Sequence, residues 1–179
     1  VGSPSLKKKV TDLKGDGMAL YMLIGLPGSG KSTVAAELDA DVILSSDEIR
    51  EELFGDAALQ YDEDLLRKAR GVEEIARRLG NRKVFTELYH RMHEHLSWDR
   101  NVVFDATNLT RKARHQAMLI AEENYNRDVV ACVVRTPLEE CLRRNFSRKR
   151  VVPEAVIRSM NDSFEEPTIE EGFAEIRSY

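Results

Sequence analysis

An apolar run from Ala19 to Ile24 leads directly into Gly25-Leu26-Pro27-Gly28-Ser29-Gly30-Lys31-Ser32, and no other stretch restricts the chain so tightly. The pattern is G-x-x-x-x-G-K-[ST]. Its glycines let successive backbone N–H groups turn inward around phosphate oxygens, where a Cβ would obstruct them. Lys31 brings positive charge to the β- and γ-phosphates, and the Ser32 hydroxyl is placed to ligate Mg²⁺. A helix beginning there adds its N-terminal partial charge. A loop of this kind implies a nucleoside triphosphate but no single reaction, because GTPases, motors and small kinases share it.

The remainder of the 179 residues alternates strand and helix. Ser32 to Leu38 reads as a helix and Val42 to Leu44 as a second strand. Val102 to Asp105 and Val129 to Val134 are further strands, with a last one near Phe173 to Ile176. Continuous β-branched runs between helical segments predict an α/β fold: a parallel sheet of about five strands with flanking helices. Capping signals mark helix starts at Ser45/Glu48, Thr110, Thr136-Pro137-Leu138-Glu139 and Thr168/Glu171. The helix after Thr110 is expected to run from Arg111 to about Tyr125. Tyr61 to Trp98 is mostly helical in pattern, with a break expected at Gly80-Asn81. Residues 18–179 form one domain on this reading, and 1–17 a polar linker or leftover segment.

Composition excludes little. No apolar run approaches the roughly 18 residues of a membrane span. The net charge of −4 argues mildly against a general nucleic-acid binder. Cys132 and Cys141 lack any Cys-x-x-Cys or zinc spacing, which suits reduced structural thiols and a cytoplasmic setting. His90, His93 and His95 lie close in sequence, but one helix face holds only His90 and His93, so a metal site is not expected there.

The choice among reactions rests on residues beyond the loop. A GTPase would carry Asp-x-x-Gly after the third strand and an Asn-Lys-x-Asp later. Here the third strand closes on Asp105-Ala106-Thr107-Asn108, and the second motif does not occur. Asp47 follows the second strand at its carboxyl end, where ligands of open α/β sheets collect. A carboxylate there can take a proton from a hydroxyl, and Arg50, three residues on, can hold an acceptor phosphate. Acids also simply favour helix N-termini, so this pair alone does not decide. Asp105 sits where a Walker-B-like acid would lie, and Thr107 and Asn108 can bond the acid or the acceptor. Arg143, Arg144, Arg148, Lys149 and Arg150 then crowd one short segment after the fourth strand. Arg144 and Arg148 are four apart and would share a helical face of a mobile lid, one that Phe146 and Met160 help to pack.

Taken in order, these segments resemble the kinase domain of the phage-type and bacterial polynucleotide 5′-kinase family. The carriers are Gly25 to Thr33, Ser46-Asp47-Glu48-Ile49-Arg50, Val103 to Asn108, Leu142 to Arg148, and Val152 to Met160. The resemblance implies ATP as phosphate donor with Mg²⁺, and a DNA or RNA 5′-hydroxyl end as acceptor. It implies that Asp47 is the general base and that Arg50 contacts the acceptor strand. Lys31 and Arg148 would stabilise the transferring phosphoryl group, with Arg144 close by. Gly28, Ser29, Gly30, Lys31, Ser32, Thr33, Arg144 and Arg148 are thus the expected donor-binding residues. Asp47, Arg50, Asp105, Thr107 and Asn108 are expected on the acceptor side. A larger nucleic-acid repair enzyme is one setting for such a module. Ser97-Trp98-Asp99-Arg100-Asn101 stands where the family has a Gly-Lys-like turn. Two other readings remain: a P-loop kinase of a small metabolite or nucleotide, and a non-catalytic nucleotide-sensing module.

Overall fold

The computed structural model describes residues 18–56, 60–125 and 127–179; the expected 1–17 linker lies outside the described residues. Five strands, β1 (Ala19–Ile24), β2 (Val42–Ser45), β3 (Val102–Asp105), β4 (Asp128–Val133) and β5 (Glu175–Ser178), form one sheet in the order β2-β3-β1-β4-β5. Every pairing is parallel. Central β1 is buried along its whole length, and its residues divide by alternation between two cores. Leu20, Met22 and Ile24 face a cluster with Phe104, Leu88 and Met92. Ala19, Tyr21 and Leu23 face a second with Val34 and Val130. This double burial explains why β1 reads as an unbroken apolar run. Each fully buried Leu or Met contributes roughly 1.5–3 kcal/mol.

The helices are α1 (Lys31–Glu37), α2 (Ser46–Phe54), α3 (Glu63–Lys68), α4 (Glu73–Ser97), α5 (Arg111–Leu119), α6 (Leu138–Asn145) and α7 (Glu154–Asp162). A π-helical turn over Ile120–Asn124 extends α5. The expected break at Gly80-Asn81 does not occur: α4 runs unbroken for 25 residues. Its buried stripe of Ala76, Gly80, Val84, Leu88, Met92 and Leu96 keeps a strict four-residue spacing. Gly80 marks a close approach instead. A Cβ there would lie 1.9 Å from the Gln60 carbonyl oxygen. The chain turns earlier, where Arg70 and Gly71 take φ of 54° and 78° between α3 and α4.

Most caps form as the sequence suggests. Ser45 accepts from Glu48 N, Thr110 Oγ1 from Ala113 N at 3.1 Å, and Thr168 and Glu171 make a reciprocal box. Thr136 does not cap α6. Its hydroxyl donates to Ser29 O at 2.6 Å, and Pro137 takes the N-cap position. In the Ser97–Asn101 turn Asp99 adopts φ 56°, a conformation more usual for glycine. Asn101 Oδ1 then accepts from Ala19 N at 2.8 Å, fixing the start of β1.

Candidate active site

β1 lies between β3 and β4, so the chain leaves its carboxyl end toward opposite halves of the sheet, and the crevice opens there. It is a cleft of about 480 Å³. The loop from Gly25 to Gly30 forms one wall, the start of α2 another, and the segment after α6 reaches across.

Gly28 and Gly30 hold φ of 80° and 98°. A Cβ on Gly28 would meet Cys141 O at 2.4 Å, so α6 packs directly on the loop backbone. Gly30 lies under Arg144, whose Nη1 would be 3.6 Å from an added Cβ. Lys31 Nζ donates to Gly25 O at 3.0 Å and Leu26 O at 2.8 Å. Burial lowers the Lys31 pKa to about 8, while the nearby Asp105 carboxylate works against that fall. Burial raises the Asp105 pKa, Lys31 opposes the rise, and Asp47 and Glu48 add to it. Ser32 and Thr33 line the cleft. Ser29 is buried, and its carbonyl rather than its side chain ties the loop to Thr136.

Asp47 projects from the first turn of α2 into the cleft. Its two oxygens meet two arginines: Oδ2 accepts from Arg148 Nη2 and Oδ1 from Arg150 Nη1, both at 2.8 Å. The expected helical register of Arg144 with Arg148 is not kept, because α6 ends at Asn145. Asn145 is buried and closes the following turn, its amide donating to Val152 O and accepting from Val152 N at 2.8 and 3.0 Å. The loop between them turns Arg148 and Arg150 toward Asp47, while Arg144 stays on α6 beside Glu140. Phe146 does not pack the lid, being 73% exposed. Met160 is half-buried against the cluster of Leu26, Cys141 and Ile157.

Arg50 does not line the cleft wall. It turns inward from α2, is 3% exposed, and donates from Nη2 to Asn81 Oδ1 of α4 at 3.2 Å. Its Nε and Nη1 have no hydrogen-bond partner among the described residues. Burial, with the Arg150 charge, lowers its pKa to about 10. Asp105 and Thr107 line the cleft, and Thr107 O accepts from Gly25 N at 3.1 Å. Asn108 is buried at φ 49° and donates to Leu23 O at 2.7 Å, so it braces β1 from outside the cleft.

Three residues of this neighbourhood escape sequence reasoning. Arg150 sits in a visible basic cluster, but nothing local tells which members turn inward. Asn145 gives no signal before its partner Val152 is known. Arg114 is fully buried on α5, paired with Glu171 and donating to the carbonyls of Asn108, Leu109 and Glu165. An arginine on an amphipathic helix ordinarily reads as solvent-facing. The histidines diverge: His93 stacks edge-on against Tyr125, and His95 against Trp98. No group of three metal-ligating side chains occurs among the described residues. Cys132 and Cys141 are buried, free thiols; burial pushes Cys132 up to about 11. No helix among the described residues is long and apolar enough to cross a membrane.

The five-stranded parallel sheet with the phosphate loop at its crevice defines a P-loop nucleotide-binding fold. The chain belongs to the AAA-domain family, whose signature matches residues 20–167. It is similar to the L-seryl-tRNA(Sec) kinase of Methanococcus maripaludis, at 30% identity over 156 residues. These are 83% of this chain and 53% of that protein, so the chain spans about half the length of this relative. Its fold resembles a candidate kinase from Chloroflexus aurantiacus j-10-fl, with a TM-score of 0.65, 16% identity and coverage of 90% and 84% of the two chains. It also resembles a chain of the Pnkp1/Rnl/Hen1 RNA repair complex, with a TM-score of 0.62 and 23% identity, over 82% of this chain and 43% of that one.

Proposed function

We propose that this chain is an ATP-dependent polynucleotide 5′-hydroxyl kinase. The observation that carries this reading is the position of Asp47, which faces the phosphate loop across one cleft and bonds the arginines that reach over it. A hydroxyl oxygen held beside Asp47 attacks the γ-phosphorus, its proton passes to the carboxylate, and the bond to the β-phosphate oxygen breaks to leave ADP. A pure nucleotide sensor needs no carboxylate in that place.

Each remaining residue has a part. Lys31 follows Gly28 and Gly30, whose positive φ of 80° and 98° shapes the loop backbone as triphosphate binding requires. The Ser32 hydroxyl, in a cleft that Asp105 also lines, would hold Mg²⁺, which would supply charge neutralisation for the phosphates. Arg144, above Gly30, neutralises donor charge. Arg148 stabilises the equatorial oxygens of the transferring group once it leaves Asp47. Arg50 carries two donors without a partner among the described residues, and an acceptor phosphate that reached its buried guanidinium would relieve that state.

The seryl-tRNA(Sec) kinase relationship favours a second reading, in which the accepting hydroxyl belongs to an aminoacyl group carried on RNA. Both readings call for a primary hydroxyl of a nucleic-acid-linked molecule beside Asp47. The test is transfer of labelled γ-phosphate from ATP to 5′-hydroxyl DNA, 5′-hydroxyl RNA, seryl-tRNA and a panel of small sugars and nucleosides. Label at the 5′ end of an oligonucleotide supports the first reading. Label only on seryl-tRNA, or only on a small molecule, replaces it.

A further inference from the structure

A second concavity, distinct from the cleft, lies between α3 and α4. It measures about 480 Å³. Leu53, Leu65 and Leu79 form an apolar floor, and Lys68, Arg82 and Lys83 stand at the rim. On α4 the lining residues Leu79, Arg82, Lys83 and Thr86 recur at three- and four-residue spacing, so they occupy one face.

The charges of this rim differ from their neighbours in pairing. Elsewhere on α3 and α4, Arg67 pairs with Asp64, Arg77 with Glu73, Arg78 with Glu74, and Arg91 with Glu52 and Glu87. Lys68, Arg82 and Lys83 are exposed and form no ion pair among the described residues. Lys83 Nζ lies 5.7 Å over the Phe54 ring. Three cations thus converge around apolar side chains, and the acid of the lining, Glu87, is paired with Arg91, in a chain whose net charge is −4. That arrangement complements an anion with an apolar face.

The groove and the cleft share no lining residue, but both border α2. α2 carries Asp47, Arg50 and Leu53 at three-residue intervals, running from cleft to groove. Asp47 and Leu53 are therefore about 9 Å apart along the helix axis. On α4, Asn81 receives the Arg50 hydrogen bond, and Arg82 and Lys83 follow it directly. A strand whose first residue sits beside Asp47 reaches the groove within about three nucleotides, at about 3.4 Å each.

We infer that the α3–α4 groove is an accessory binding site for the single-stranded acceptor, with Lys68, Arg82 and Lys83 on its phosphodiesters and the leucine floor against its sugars and bases. The site rests on the polynucleotide reading and adds to it a reason for acceptor length to matter. Phosphate contacts of this kind position a strand without reading its sequence.

The experiment uses the parent chain and the K68S/R82S/K83S variant. Steady-state rates are measured with ATP and two acceptors: a nucleoside 3′-phosphate, and a 5′-hydroxyl oligonucleotide of about ten residues, longer than the roughly three nucleotides that span cleft to groove. The variant is expected to raise KM for the oligonucleotide at least tenfold and to leave KM for ATP and for the nucleoside 3′-phosphate unchanged. The slope of log affinity against log salt should fall by about two, from a contribution of about 0.7 per lost phosphate contact on a single strand. R82E alone changes one exposed residue, and it provides the same direction of effect should the triple variant fold poorly. A parent protein that labels no 5′-hydroxyl oligonucleotide overturns the polynucleotide reading and the groove with it. A parent that labels oligonucleotides, with both variants keeping its KM and salt slope, overturns the groove alone.

Discussion

Arg148 Nη2 stands 2.8 Å from Asp47 Oδ2, although the two residues lie 101 positions apart. The acid suited to deprotonating an acceptor and the arginine suited to a phosphoryl group therefore hold one another. Arg150 completes the arrangement on the other carboxylate oxygen. On the proposed function each partner gives up this contact to act on a substrate, so donor phosphate and Asp47 would compete for Arg148.

Asp47→Asn retains size and removes the proton acceptor. Turnover is expected to fall on the order of 10²–10⁴. ATP binding should persist, because Lys31 and Ser32 are untouched. Loss of partly exposed ion pairs costs less than about 1 kcal/mol of stability. The check is a paired measurement on one preparation: thermal midpoint with ATP, and initial rate with a 5′-hydroxyl oligonucleotide. Near-parental turnover in a folded, ATP-stabilised protein removes Asp47 from the mechanism.

Arg148→Ala should lower kcat by on the order of 10²–10³, as loss of a transition-state donor typically does. Its thermal midpoint should stay close to that of the parent. Unchanged kcat at saturating ATP would show that Arg148 serves only to hold Asp47.

Arg50 permits a test that separates folding from binding. Arg50→Ala leaves a cavity under α4, so stability should drop by roughly 2–5 kcal/mol. Arg50→Met refills the volume and lacks the donors. The methionine variant is expected to regain most of the stability and still show a raised KM for the acceptor. If it binds the oligonucleotide as the parent does, Arg50 is only a structural residue.

Lys31 sets a pH dependence. Its folded value of about 8 lies below its ordinary 10.5. The folded protein therefore releases this proton before the unfolded chain does, and the Lys31 contribution to stability rises as pH climbs from about 8 to 10.5. Phosphate binding needs the cation, so ATP affinity should weaken above about pH 8. Binding between the two values should take up protons, detectable by calorimetry in buffers of different ionisation enthalpy. Affinity flat to pH 10, with no proton uptake, would contradict the Lys31 environment.

Gly80→Ala tests the contact between α4 and Gln60. Alanine is the better helix former by about 1 kcal/mol. Against this, its Cβ meets a backbone carbonyl that cannot rotate away. Overpacking of this kind costs about 1–3 kcal/mol, so net destabilisation is expected in chemical denaturation. A more stable variant would mean that the Gln60 segment yields freely.

The sequence by itself determined the phosphate loop, the strands and most helix caps, because each depends on neighbours within one turn or one strand. Gly28 and Gly30 need positive φ wherever the loop lies, and the β1 run needs burial on both faces whatever covers it. Only tertiary structure decided which long side chains turn inward. Arg50 and Arg114 are buried because Asn81, Glu171 and several backbone carbonyls come from distant segments to receive them. Arg148 leaves the helical register because Asn145 finds Val152 and ends α6. Gly80 reads as a helix breaker until the Gln60 carbonyl is brought against it. Arginine and lysine carry flexible stems, so their local sequence leaves many rotamers open, and the choice among them falls to acceptors that only the fold brings near.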